Sequence, residues 1–305
     1  MNVKKESENY KRGFLKNDFE FFHIKDQRSL EFEFHYHDFN KIIIFISGKV
    51  TYLIEGKAYN LKPWDILLVN SNEVHRPVID PAETYERIVL WINSTFLEKH
   101  SSPECNLLTC FGVSSDRNYK LLRLNPDLLG NMKYILTQLE DACKSKSFGA
   151  RLLKNALFVQ FIVYANRFVL QTENSMESHA DVQFDEQISS VINYINDNLS
   201  GDLTIENLAA RFFTSRYYLM HKFKSQTGYS IHSYILKKRL IMSNSLIKKG
   251  KSVTEAALEC GFNDYSNYLR AFTAMFGLSP KKYHKAVTEL QNQLTTLPHV
   301  AIPDE

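Results

Sequence analysis

The sequence predicts an α+β protein of two domains: an N-terminal β-barrel with flanking helices, then an all-α domain of two helix-turn-helix units. Three observations carry this. A length of 305 residues suits two domains. Hydrophobic residues run in short β-branched stretches up to about residue 95 and take helical spacing from about residue 127. The C-terminal part also repeats itself at an offset of 49 residues.

In chain order, the first residues (MNVKKESENYKR) mix charges of both signs and hold no apolar core, so no signal peptide is expected. Four cysteines, at 105, 110, 143 and 260, form no CxxC pair, which makes a cytoplasmic location the expectation. No charge-poor apolar stretch reaches the roughly 18 residues of a membrane span. Strands are predicted at Ile42–Ile46, Lys49–Glu55, Ile66–Val69 and Ile88–Ile92, with breaks at Ser47-Gly48 and Gly56-Lys57. Strands at intervals of about ten residues fit a sandwich or small barrel.

Asn125-Pro126-Asp127 opens a helix to about residue 144, and a second, largely apolar helix spans about 148–171. The polar, aperiodic stretch 172–183 (TENSMESHADVQ) is predicted to be a linker. The helical part covers 184–289, and 290–305 reads as a frayed tail. The first domain is therefore 1–171. In the helical part Ser and Thr residues mark starts and glycines mark stops. Thr204, Ser215, Ser230 and Asp264 are N-cap types, Ser252-Val-Thr-Glu255 is a capping box, and Gly228, Gly250 and Gly277 end helices. Ser279-Pro280 begins a last helix.

The net charge of +3 is unevenly spread. Residues 184–289 hold fourteen basic and nine acidic residues, or +5, which leaves −2 for the remainder. A basic helical part points to a polyanion. The repeat agrees. Ser215, Phe223, Gly228, Ser230 and Tyr234 meet Asp264, Phe272, Gly277, Ser279 and Tyr283, while Ala209 meets Ala257 at an offset of 48, so one loop differs by a residue. In each copy an i, i+4 pair, Leu219/Phe223 or Tyr268/Phe272, forms the buried side. The other side presents Arg216, Tyr217, His221 and Lys224, or Asn263, Tyr265, Ser266, Asn267 and Arg270. Side chains of this kind on a helix can reach base edges in a major groove. The candidate DNA-binding residues are thus Arg216, Tyr217, His221, Lys224, Tyr265, Ser266, Asn267 and Arg270.

Residues 186–285 resemble the AraC/XylS-type DNA-binding domain. The resemblance rests on Leu203-Thr-Ile-Glu-Asn-Leu-Ala209, on Ser215-x3-Leu219-x3-Phe223-Lys224-x3-Gly228-Tyr-Ser230-x3-Tyr234, and on Ala257-x3-Gly261-Phe262-x-Asp264-x3-Tyr268-x-Arg270-x-Phe272-x4-Gly277-Leu-Ser279-Pro280-x2-Tyr283. It implies recognition helices 215–227 and 264–276 that enter successive major grooves of promoter DNA. Met220 and His221 depart from the more polar or basic residues common there.

In the first domain, His35-Tyr-His37-Asp-Phe-Asn-Lys41-x6-Gly48 and Pro63-Trp64-Asp65-x9-His75 resemble the cupin pattern, in which three His and a Glu converge on a metal inside a barrel. Here Lys41 holds the Glu position and Trp64 that of the usual glycine, so neither metal nor cofactor is expected and no catalytic residue is assigned. The cupin-like β-barrel matches the sensing domain of AraC-type regulators, which implies a small-molecule effector such as a sugar or related metabolite. Candidate effector-binding residues are His35, His37, Lys41, Tyr52, His75, Arg87 and Trp91; Trp64, Phe39 and Tyr36 are candidate core. The flanking helices imply a homodimer, and a transcription regulator also has RNA polymerase as a conceivable partner. The competing classes are a cupin enzyme with a DNA-binding tail and a helical adaptor for proteins.

Overall fold

A computed structural model describes residues 15, 17–26, 32–117, 119–171, 181–285 and 288. The chain divides into two compact units between Asp185 and Glu186. Among the described residues no helix is long and apolar enough to cross a membrane.

Among the described residues the first unit has nine strands: β1 (Phe19–Asp26), β2 (Asn40–Ser47), β3 (Val50–Ile54), β4 (Lys57–Asn60), β5 (Ile66–Val69), β6 (His75–Ile79), β7 (Tyr85–Ile92), β8 (Leu121–Leu122) and β9 (Val182–Gln183). They form two antiparallel sheets, ordered β1-β7-β2-β5-β8 and β6-β3-β4-β9. The larger sheet is apolar on both faces. Ile42, Ile44, Ile88, Leu90 and Ile92 pack outward against α3 (Pro126–Lys144) and α4 (Ala150–Gln171), meeting Ile135, Leu139, Phe158 and Phe161. Ile43, Phe45, Leu67 and Val69 point the other way, onto Tyr52, Ile54 and Tyr59 of the smaller sheet. Each fully buried aliphatic side chain contributes about 1.5–3 kcal/mol. Between β3 and β4 the turn is Glu55-Gly56. Both residues have positive φ, 46° and 79°, as a two-residue type I′ hairpin requires.

Several elements differ from expectation. Strand β1 precedes the first predicted strand, β6 was not predicted, and two short helices, α1 (Ser94–Lys99) and α2 (Thr109–Asp116), follow β7. Strand β6 carries Pro77, a residue that argues against a strand interior; it is tolerated because β6 lies at a sheet edge. Helix α4 begins at Ala150, since Gly149 has a φ of 73° and leaves Phe148 outside. The linker expectation needs correction at Val182–Gln183. These residues pair with Tyr59 and Ala58, and Val182 is buried in the barrel core. Residues 172–180 and the tail 290–305 lie outside the described residues.

The second unit contains α5 (Glu186–Asp197), α6 (Ile205–Arg211), α7 (Arg216–Thr227), α8 (Ile231–Lys248), α9 (Val253–Glu259) and α10 (Tyr265–Phe276), with residues 280–285 also helical. The side chains of Thr204, Ser215, Ser230, Ser252 and Asp264 each accept a backbone N–H of the helix they open, and Ser252 and Glu255 complete a capping box. A cap of this kind is worth about 1 kcal/mol. Leu219, Phe223, Tyr268 and Phe272 are fully buried.

The two halves share their turn geometry. Thr214 N–H donates to the Ala209 carbonyl at 3.0 Å, and Phe262 N–H donates to that of Ala257 at 3.1 Å. The residue before each donor has positive φ: 49° at Phe213 and 78° at Gly261. The extra residue of the second copy is therefore Asn263, between Phe262 and the cap Asp264. At Gly261 a Cβ would sit 2.8 Å from the Leu199 carbonyl oxygen, so glycine is required. Phe213 accepts the same backbone region without that crowding, and its side chain is 97% exposed. A non-glycine residue there costs about 1–2 kcal/mol. Phe213→Gly is expected to stabilise the helical unit by about 1 kcal/mol, and Gly261→Ala to destabilise it by about 2 kcal/mol or more. Urea unfolding followed by helical circular dichroism checks both.

Candidate functional site

Helix α8 bridges the two halves of the second unit, and a groove of about 1490 Å³ opens between α7 and α10. His221 and Lys224 line it from α7, Asn267 and Arg270 from α10, and His232 from α8. The other four candidates, Arg216, Tyr217, Tyr265 and Ser266, are exposed but lie outside the groove lining. Arg216 is paired with Glu206 at 2.9 Å. The Tyr217 ring lies 4.9 Å from that of His221. On α10 the Asp264 carboxylate accepts from the Asn267 side chain, and Asn267 in turn accepts from Arg270. This chain aims the Arg270 guanidinium from a fixed helix end. His232 and Arg239 were not among the sequence candidates. Arg239 also lines the groove, but its guanidinium donates to the carbonyls of Leu199 and Gly201 at 2.8 and 2.7 Å and so holds that loop.

In the first unit a cavity of about 250 Å³ lies between the sheets. Strand β7 turns Arg87, Val89 and Trp91 into it, and the opposite parity of β7 faces the helices. Lys41 of β2 pairs with Trp91 and shares its face. Tyr52 of β3, Pro77 of β6 and His35 close the other side. Of the seven candidates, His35, Lys41, Tyr52, Arg87 and Trp91 therefore line one cavity. His37 and His75 stand behind His35, with ring centroids 5.1 and 4.5 Å from it. Phe22 and Ile24 of β1, Phe32, and Tyr85 of β7 complete the lining. The signal that could have found them is the alternation within Phe19–Asp26. Phe39 and Tyr36 are core, whereas Trp64 is only partly buried. Trp64 has a φ of 71°, a region that favours glycine, and the Lys133 ammonium lies 4.1 Å above its ring.

The polar lining is unevenly balanced. Arg87 donates to the Asp26 carboxylate at 2.9 Å and stacks on the Tyr85 ring at 4.1 Å. Tyr52 and Tyr85 share a hydroxyl hydrogen bond of 2.9 Å. Burial and the neighbouring Arg87 push the Lys41 ammonium down to about 8.

His35, His37 and His75 are buried, and their ligand nitrogens lie within 4.8 Å of one another. The Nδ1 of His35 donates to the Glu33 carbonyl and that of His75 to the Glu73 carbonyl, at 2.8 and 2.9 Å. A carbonyl only accepts, so Nδ1 carries a hydrogen in both rings, and the buried Nε2 of His75 has no hydrogen-bond partner among the described residues. Such donors suit a transition metal. Their surroundings do not. Lys41 acts on His75 from the position where the cupin pattern has its acid. Burial first, and then Lys41, hold the His75 imidazole well below its usual value. An ammonium there opposes a divalent ion, and the set does not fit a metal centre.

The motif residue Asp65 has a structural role. Arg123 binds both its oxygens, at 2.9 and 2.7 Å, and reaches Asp181 at 2.6 Å. Lys62 meets the same Asp181 oxygen at 2.6 Å. This fork fastens the start of β9 to the barrel.

A barrel with a cavity lined by aromatic and cationic side chains, followed by paired helix-turn-helix units, defines a ligand-responsive DNA-binding regulator. The comparisons agree. Residues 20–162 match the AraC-like ligand binding domain, and residues 208–286 match a helix-turn-helix domain. The chain is 23% identical over 258 residues to the HTH-type transcriptional activator RhaR of Mannheimia succiniciproducens, covering 83% of this chain and 87% of that one. It is 24% identical over 254 residues to RhaS of Citrobacter koseri, covering 81% and 85%. Among solved structures, ToxT of Vibrio cholerae aligns over 89% of this chain and 98% of its own, at 14% identity and a TM-score of 0.36. The chain belongs to the AraC-type transcription regulators.

Lys41 gives the barrel a pH signature. Between about pH 8 and 10.5 the unfolded chain holds a proton that the folded chain has released. Stability therefore rises with pH across this window. Lys41→Met is expected to remove that rise, read as the difference between guanidinium midpoints of the two proteins at pH 7.5 and 10.

Proposed function

We propose that this chain is a cytoplasmic activator of transcription rather than an enzyme. It binds promoter DNA as a homodimer and responds to a small effector, a sugar or related metabolite, held in the barrel cavity. The observation that carries the reading is the groove lined from both helix-turn-helix halves by His221, Lys224, Asn267 and Arg270. Arg and Asn on exposed helix faces read base edges, and Lys neutralises phosphate. The activator sense follows the relatives RhaR and RhaS, which are transcriptional activators. RNA polymerase is the partner an activator would engage. The dimer reading is supported by Tyr134 on α3, by Leu152 and Leu153 on α4, and by Phe148 just before α4, which are large apolar side chains left exposed. Effector binding would shift the population between two arrangements of the protomers on DNA.

Sequencing DNA fragments that the full-length protein retains, with and without candidate metabolites, tests the reading; retention without sequence preference overturns it. On the site so found, Arg270→Ala is expected to weaken binding by about 1–3 kcal/mol, with discrimination lost at one base pair. Lys224→Ala should weaken all sequences alike and reduce the slope of log affinity against log salt by about 1. Equal affinities at matched salt, or an unchanged slope, remove the respective residue from the interface. Leu152→Glu is expected to yield a monomer by light scattering. An unchanged dimer would move the interface elsewhere.

A further inference from the structure

The barrel cavity is lined by two cations, and the barrel answers only one of them. Asp26 neutralises Arg87 across 2.9 Å. Lys41 has no hydrogen-bond or ion-pair partner among the described residues, and no acid acts on it. The groups that face it are His35, His75 of β6, Tyr52 of β3, and Arg87 of β7 backed by Asp26 of β1. Burial holds the His75 imidazole well below its usual value, His35 can be only neutral or cationic, and burial pushes the hydroxyls of Tyr52 and Tyr85 up. None of these groups supplies a counter-charge. Lys41 is half-buried, a partly desolvated cation without a counter-charge is costly, and this one borders open space that a ligand can fill.

We propose that the effector is a small ring-bearing monocarboxylate whose carboxylate lies between Lys41 and Arg87. This rests on the reading of the cavity as the effector site. One unanswered charge calls for one carboxylate; a phosphate monoester or a dicarboxylate would leave a buried negative charge. The ring lies on Trp91 and Phe22, which supply flat apolar wall. About 250 Å³ leaves room for little more than one ring. A sugar acid and an aromatic acid share this chemistry, and the experiment separates them.

Trp91 lines the cavity, and the chain has only one other tryptophan, Trp64. Full-length Trp64→Phe protein therefore reports on the cavity by fluorescence. Two pairs of probes are titrated at pH 7: galacturonate against galactose, and benzoate against benzamide. One acid is expected to quench Trp91 at a concentration at least tenfold below its neutral partner, and the pair that responds names the source. Lys41→Met in the same background should abolish the preference. It should also raise the melting temperature of the ligand-free protein, because it removes an unanswered charge. Binding of the acid should weaken as pH rises past 8, as Lys41 loses its proton. Equal quenching by acid and neutral partner overturns the charge assignment and leaves the effector cavity standing. Failure of both acids to quench overturns the assignment as well, and failure of all four probes counts against the cavity reading too. A lower melting temperature for Lys41→Met overturns the proposal independently, since it would mean that the ammonium is already satisfied.

Discussion

Strands β2 and β7 are buried on both faces, and the parity of their residues decides what the barrel contains. Even positions from Ile42 to Ile44 and from Ile88 to Ile92 meet the helices. Odd positions, Lys41 to Phe45 and Arg87 to Trp91, meet the interior. A slip of one residue would exchange the sets and drive Lys41 and Arg87 into the packed layer against α3 and α4. The aliphatic layer between sheet and helices thus fixes the cavity's chemistry without touching it. The two cations are held inside because five aliphatic side chains on alternate positions have to be outside.

The helical unit was readable nearly residue by residue, because its signals are local. A cap joins a side chain to a backbone N–H two or three residues on, so Ser215, Ser230 and Asp264 announce their helices without knowledge of the rest. The apolar pairs Leu219/Phe223 and Tyr268/Phe272 declare the core side in the same way. The barrel was readable only where strands are apolar throughout, as in Ile42–Ile46 and Ile66–Val69. Strand β1 is half-buried along most of its length and intersperses Glu20, His23 and Lys25, so its pattern is faint. Strand β9 is two residues long and exists only through its pairing with β4 and the Arg123 fork, neither of which a linear reading can supply.

The cavity divides along the same line. Lys41, Arg87 and Trp91 were legible as polar or aromatic interruptions in apolar strands. That they converge with Tyr52 and His35 depends on sheet-to-sheet packing, and the roles of Asp26, Phe22 and Tyr85 depend on the β1–β7 register. The histidines illustrate the converse case. Their spacing suggests a metal, and their burial and mutual distances agree, yet the neighbouring strand places an ammonium beside them.

That ammonium is bonded to the chain, so it is present in every copy of the protein at the moment of folding. A receptor anchored by a dissociable ion answers to two concentrations at once, that of its ligand and that of the ion, and it falls silent when the ion is scavenged. A barrel that carries its own fixed positive charge answers to one.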